Sequence, residues 1–144
     1  MLLTIERVLL LKGVEFFATT ADAQLAAVAA ILEEQEWKAG SQSITKGDAG
    51  TSMYILASGS ARVHDGDLEI VTLRPGQVFG ELSALVPRAR VASITALEDV
   101  LLLRLEHEAL FDLMADHVGV AHGIIRYLVA TYGRVRQGPG GTAT

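Results

Sequence analysis

The sequence predicts an α+β fold: a β-roll (a jelly-roll-like antiparallel β-sandwich) flanked by N-terminal helices and C-terminal helices. Apolar residues recur at helical spacing only towards the two ends of the chain. Between them, from Trp37 to about Glu106, short runs of β-formers alternate with Gly, Asp and Pro turns, the texture of a sandwich or roll. The chain has 144 residues and no cysteine, enough for one domain that buries about 70% of its unfolded surface without disulfides. The expected organisation is one domain over residues 1–136, with N-terminal helices at 1–35, the roll at 36–106 and C-terminal helices at 107–136.

Taken in order, Thr4 is placed to N-cap a short helix over Ile5–Leu11. Asp22 is placed to cap a second helix running through Glu34, with Leu25, Val28, Ala29 and Leu32 at helical spacing. Ser60–His64 and Leu68–Leu73 flank Asp65-Gly66-Asp67, a hairpin turn in which Gly66 can take positive φ. Val100–Leu105 is nearly continuous in apolar residues and reads as the last core strand. Helical spacing returns in His107–Ala115 and again from Val118 to about Val135, where Ala121, Ile124, Ile125, Leu128 and Tyr132 form a stripe. Gln137–Thr144, rich in Gly, Thr and Pro with nothing to bury, is expected to be a flexible tail or the end of a linker.

Composition narrows the function. A net charge of −5 argues against a nucleic-acid partner, because non-specific binding to phosphate backbones needs a basic face. The apolar run Val8–Leu11 is far short of the roughly 20 residues that span a bilayer. No signal peptide is evident, so a cytoplasmic location is expected. A metal-dependent enzyme on a small barrel of the cupin kind needs several histidines and a carboxylate on neighbouring strands. Only His64 lies in the strand region, while His107, His117 and His122 fall at the helical end. No metal ligand and no catalytic residue is therefore assigned.

The most informative stretch is residues 79–94, Phe-Gly-Glu-Leu-Ser-Ala-Leu-Val-Pro-Arg-Ala-Arg-Val-Ala-Ser-Ile. It sets the carboxylate of Glu81 and the guanidinium of Arg90 around a glycine, small residues and a short apolar turn. A carboxylate accepts hydrogen bonds from a sugar hydroxyl, and a planar guanidinium grips phosphate oxygens through parallel bonds. Gly80 lets the backbone approach a ligand closely, and a helix starting near Glu81 would turn unpaired N–H groups towards an anion. The pattern suits a small ligand that carries both hydroxyl and phosphate.

This stretch resembles the phosphate-binding cassette of the cyclic nucleotide-binding domain family. Phe79-Gly80-Glu81 matches the start of its pattern and Arg90-Val91-Ala92-Ser93-Ile94 the end. Lys46–Gly59 looks like the family's first glycine-punctuated hairpin, and Leu73-Arg74-Pro75-Gly76-Gln77 resembles the turn into the cassette. One departure is visible: the family's proline directly precedes its phosphate arginine, whereas here Pro87 precedes Arg88. Arg90 keeps the loop length and the small residue three positions on, so phosphate binding is assigned to Arg90 and Arg88 is expected to be a solvated loop residue.

The resemblance implies a regulatory domain with no enzyme activity, no cofactor, and cyclic AMP as ligand, cyclic GMP being the alternative. Glu81 would accept from the ribose 2′-hydroxyl and Arg90 would pair with the exocyclic phosphate oxygens. Backbone near Gly80, Leu82, Ala92 and Ser93 would add donors, with Ser93 equally able to satisfy a strand-end backbone group. Val63 and Ile70 fall where the family places apolar contacts to the base, with plain core packing as the competing role. Val91 stands where members that favour cyclic GMP often carry threonine, which leans the ligand towards cyclic AMP. The final helix would close over the base and report occupancy, with Tyr127, Leu128 and Tyr132 as lid candidates. The expected partner is an effector domain, or a membrane transporter or channel, in cis or in trans. The competing reading is a degenerate roll that binds no nucleotide and serves as an interaction module.

Overall fold

The computed structural model describes residues 1–136, with side chains through residue 133; the expected tail at 137–144 lies outside the described residues. Helix α1 spans Thr4–Lys12 and α2 spans Asp22–Ile31, with a 3-10 turn at Glu15–Phe17 between them. Ten short strands follow: β1 Glu33–Trp37, β2 Gln42–Ile44, β3 Ala49–Gly50, β4 Ser52–Ser58, β5 Ala61–Asp65, β6 Leu68–Leu73, β7 Val78–Phe79, β8 Arg88–Ala89, β9 Ser93–Ala96 and β10 Val100–Glu106. Helix α3, Glu81–Leu85, interrupts them after β7, and α4 (His107–Asp116) and α5 (Val118–Arg136) follow β10.

The strands form two antiparallel four-stranded sheets, in the orders β1-β10-β4-β7 and β2-β9-β5-β6, and a small third sheet of β3 and β8. This is the α+β roll with helices at both ends that the sequence predicts. Successive side chains of a strand point to opposite faces, and β4 and β10 use both. Met53, Ile55, Leu103 and Leu105 pack into a cluster with Phe16, Leu25, Leu110 and Ile124 of the helical segments. Leu56, Val100 and Leu102 face the other way, into the roll, where they meet Ile44, Val63 and Ile94. The run Val100–Leu105 is nearly continuous in apolar residues for this reason: the strand is buried on both faces.

Several boundaries differ from the sequence expectation. Thr4 and Asp22 are the first helical residues, while Leu3 and Ala21 occupy the cap positions. At α1 the Leu3 N–H donates to Glu6 Oε1 at 2.8 Å, so the cap is supplied from inside the helix. Helix α2 ends at Ile31 rather than Glu34, and strand pairing begins at Glu33, ahead of the expected start at 36, because Glu33–Trp37 is recruited as a partner for Arg104–Val100 of β10. Tertiary pairing here overrides the helical propensity of Glu. The hairpin at Asp65-Gly66-Asp67 forms as expected, with Gly66 at φ 58°.

The stripe on α5 is rotated from the expected one. Val120 and Ile124 are buried and Leu128 packs against the helical core, but Ile125 and Tyr132 are exposed. Two contacts to the N-terminal segment fix the rotation. Thr19 Oγ1 donates to the Gly123 carbonyl at 2.9 Å, and Arg126 Nη2 donates to the Thr19 carbonyl at 3.1 Å.

Two-sided burial of β10 predicts that neighbouring residues are equally sensitive. Leu102→Ala and Leu103→Ala should each lower unfolding free energy by about 2–5 kcal/mol in urea titrations. A mild effect at one of the two would mean that one face of β10 is loosely packed.

Candidate ligand site

The cassette is held from three directions. Gly76 N–H donates to the Leu56 carbonyl at 2.8 Å and Leu56 N–H to the Gln77 carbonyl at 3.0 Å, which ties the turn before the cassette to β4. Phe79 then pairs with Tyr54, and Gly80, at φ 81°, turns the chain into α3. At the far end, Gly47 N–H donates to the Arg90 carbonyl at 2.9 Å and Arg90 N–H to the Asp48 carbonyl at 2.8 Å. A third tie runs to the C-terminal helices, where His107 Nδ1 donates to the Ala84 carbonyl at 2.8 Å.

Arg90 is the centre of the site. It is 8% exposed, and its guanidinium carbon lies 5.5 Å from the ring centre of Phe79 and 5.8 Å from that of Tyr54. Two glycines make room for it. A Cβ on Gly50 would lie 2.4 Å from Arg90 Nε, and one on Gly80 would lie 2.5 Å from Nη1. Nη1 is buried with no hydrogen-bond partner among the described residues. Burial lowers the pKa of the guanidinium from its ordinary value, opposed by Tyr54 and by the carboxylate of Glu106. Two aromatic faces return about 1–2 kcal/mol, less than the several kcal/mol that desolvating an unpaired cation takes. Arg90 is therefore a buried cation in want of an anion.

Glu106 lies behind this centre and stays ionised. Burial pushes its pKa up, but hydrogen bonds from Ser52 and Thr51 and the charge of Arg104 outweigh that and leave it lowered. Ser52 Oγ donates to Glu106 Oε2 at 2.6 Å, and Arg104 pairs with the same carboxylate.

A cavity of about 280 Å³ opens in front of Arg90. Of the residues singled out in the sequence, Gly80, Glu81, Leu82, Arg90 and Val91 line it together. Ala92 and Ser93 lie next to it but are buried, and Ser93 Oγ accepts the Lys46 N–H at 2.9 Å, the strand-end role allowed for it above. Val63 is buried inside the roll and Ile70 is 55% exposed on β6; neither lines the cavity. Helix α3 is five residues long, so its dipole is small and the pull on an anion rests on Arg90 and the nearby N–H groups. Arg88 belongs to β8 rather than to a loop, because it pairs with Gly50; its side chain is exposed and lines the cavity.

The lid candidates separate. Tyr127 is half-buried, with its ring 5.3 Å from that of Phe16, and it lines a second cleft of about 420 Å³ in which Glu81 also takes part. Burial, and after it the charge of Glu81, raises the Tyr127 phenol pKa above its ordinary value. Leu128 packs on the helical core and Tyr132 faces outward. Tyr54, Phe79 and Gly50 as the cage around Arg90 were not foreseen. Their only sequence signal is membership of the two glycine-bearing motifs, and which side chain meets Arg90 depends on strand register.

Comparison with known proteins agrees with the geometry. The sequence model of the family described as Cyclic nucleotide-binding domain matches residues 34–117, and the chain belongs to that family. It is 38% identical over 100 residues to a cGMP-dependent protein kinase of Toxoplasma gondii, covering 69% of this chain and 10% of the kinase. It is 32% identical over 123 residues to the cyclic AMP receptor protein of Thermus thermophilus, covering 82% of this chain and 57% of the receptor protein. The chain thus spans only part of these curated relatives. Among solved structures, the N-terminal domain of a transcriptional regulator from Streptomyces coelicolor A3(2) superposes with TM-score 0.84 at 27% identity, over 90% of this chain and 96% of that one.

Because Arg90 is a desolvated charge, Arg90→Met should raise the stability of the domain without added ligand by about 1 kcal/mol or more, read as a higher urea midpoint. A lower midpoint would mean that the guanidinium is well compensated by its surroundings.

Proposed function

We propose that this domain is a cyclic nucleotide sensor that binds cyclic AMP in the cavity before Arg90 and reports occupancy through its C-terminal helices. The observation that carries this reading is Arg90, a buried guanidinium with an unpartnered Nη1 among the described residues, which lines a cavity that Glu81 also lines. The cyclic phosphate would pair with Arg90, and the ribose 2′-hydroxyl would donate to Glu81. Gly80 and Leu82 would offer backbone at close approach, and Val91 a non-polar edge consistent with cyclic AMP rather than cyclic GMP. Ala92 and Ser93 would support the cassette from behind, and the base would lie towards the exposed Ile70, with Val63 buried in the roll interior.

The domain, residues 1–136 in this reading, would act as a regulatory unit without catalysis, controlling an effector domain or a transporter or channel. Among the described residues, no helix is long and apolar enough to cross a membrane. Ligand occupancy would reach α5 by two routes: from Glu81 across the shared cleft to Tyr127, and from α3 through His107 to α4. For a signal to result, the ligand must bind one arrangement of these helices better than the other.

Isothermal titration calorimetry with cyclic AMP, cyclic GMP and 5′-AMP tests the reading. Cyclic AMP should bind saturably and one-to-one, with cyclic GMP and 5′-AMP weaker. Arg90→Ala should weaken binding by about 2–5 kcal/mol, and hydrogen exchange of α5 should change on addition of cyclic AMP. A folded sample, free of copurified nucleotide, that gives no heat with any of the three would leave the interaction-module reading instead.

A further inference from the structure

The cavity before Arg90 has a second guanidinium at its edge, and this inference rests on the ligand reading above. The charged residues that line the cavity are Glu81, Arg88 and Arg90. With Arg88 the wall carries one positive charge in excess; without it, the charges of Glu81 and Arg90 cancel. The chain as a whole is acidic, at −5, so a diffusing anion is repelled at long range and gains nothing from the global field. Arg90 is 8% exposed and set against two rings, so it is placed to hold an anion inside the cavity rather than to meet one arriving from solvent.

Arg88 differs from Arg90 in each of these respects. Its side chain is exposed and forms no salt bridge among the described residues. Its backbone is held in β8 opposite Gly50, so the side chain projects from a fixed point. Arg88 and Arg90 both line the cavity, so the exposed guanidinium stands at the edge of the site whose wall Arg90 forms. The geometry points to Arg88 as a capture residue: it supplies the local positive potential that draws a phosphate-bearing ligand to the cavity, and Arg90 then holds it. The Pro-Arg-Ala-Arg order, which shifts the proline two residues ahead of its usual place, creates this second charge without displacing the first.

The test is stopped-flow association of a fluorescent cyclic AMP analogue with the unaltered domain and with Arg88→Gln and Arg88→Lys, at about 20 mM and about 500 mM salt. Arg88→Gln should lower kon by about threefold to tenfold at low salt, with the difference vanishing at high salt and koff nearly unchanged. Arg88→Lys, which keeps the charge, should keep kon. Equal kon for all three proteins at low salt would overturn the inference. So would a salt-independent loss that appears in koff, because Arg88 would then be a direct holding contact. Failure of the unaltered domain to bind the analogue at all would overturn the ligand reading and this inference together. Binding by the unaltered domain with no effect of Arg88→Gln would overturn this inference alone.

Discussion

A guanidinium held out of water against two aromatic rings organises this domain. To bury Arg90, the fold must bring Tyr54 from β4 and Phe79 from β7 into register, and set glycines at 50 and 80 where any side chain would strike it. It must also pin the arginine's own backbone, which the exchange of hydrogen bonds with Gly47 and Asp48 does. None of this stabilises the domain by itself. Ring contacts offset part of the desolvation, and the remainder is a deficit that an anion at Nη1 would remove. A domain that tolerates such a deficit at one point has its energetic surplus elsewhere, in the two-sided burial of β4 and β10.

That two-sided burial also joins the cavity side of the roll to the helices. Tyr54 and Met53 are neighbours in β4, but one approaches Arg90 and the other packs with the helical segments. Helix α3 grows directly out of the cassette and is bound to the start of α4 through His107. Glu81 belongs to the cavity on one side and to the cleft with Tyr127 on the other. On the proposed function, a ligand that repositioned Glu81 would act on two contacts with the C-terminal helices at once, with no long chain of intermediates.

Much of the fold was legible in the sequence because it is written in short-range patterns. The hairpin at Gly66, the last strand from Val100 and the helices after His107 all announce themselves by periodicity or turn chemistry. What was not legible depends on partners distant in the chain. Glu33 and Glu34 read as the end of a helix until β10 is available to pair with them. The face that α5 buries is chosen by Thr19 and Thr20 against Gly123, not by its own stripe alone. At the site, the cassette residues were found by their pattern and five of them line one cavity, but the ring cage around Arg90 and the place of Arg88 at its edge are matters of register. Ile70 and Val63, assigned from the same resemblance, lie outside that cavity.

The central claim is that the buried guanidinium of Arg90 is the anchor for a phosphate, and a crystal structure of the domain grown with cyclic AMP tests it most directly. The phosphate should lie within hydrogen-bond distance of the Arg90 guanidinium, with the ribose hydroxyl on Glu81 and the Tyr54 and Phe79 rings still against it. A nucleotide bound elsewhere, or a phosphate held by Arg88 without contact to the Arg90 guanidinium, would contradict it.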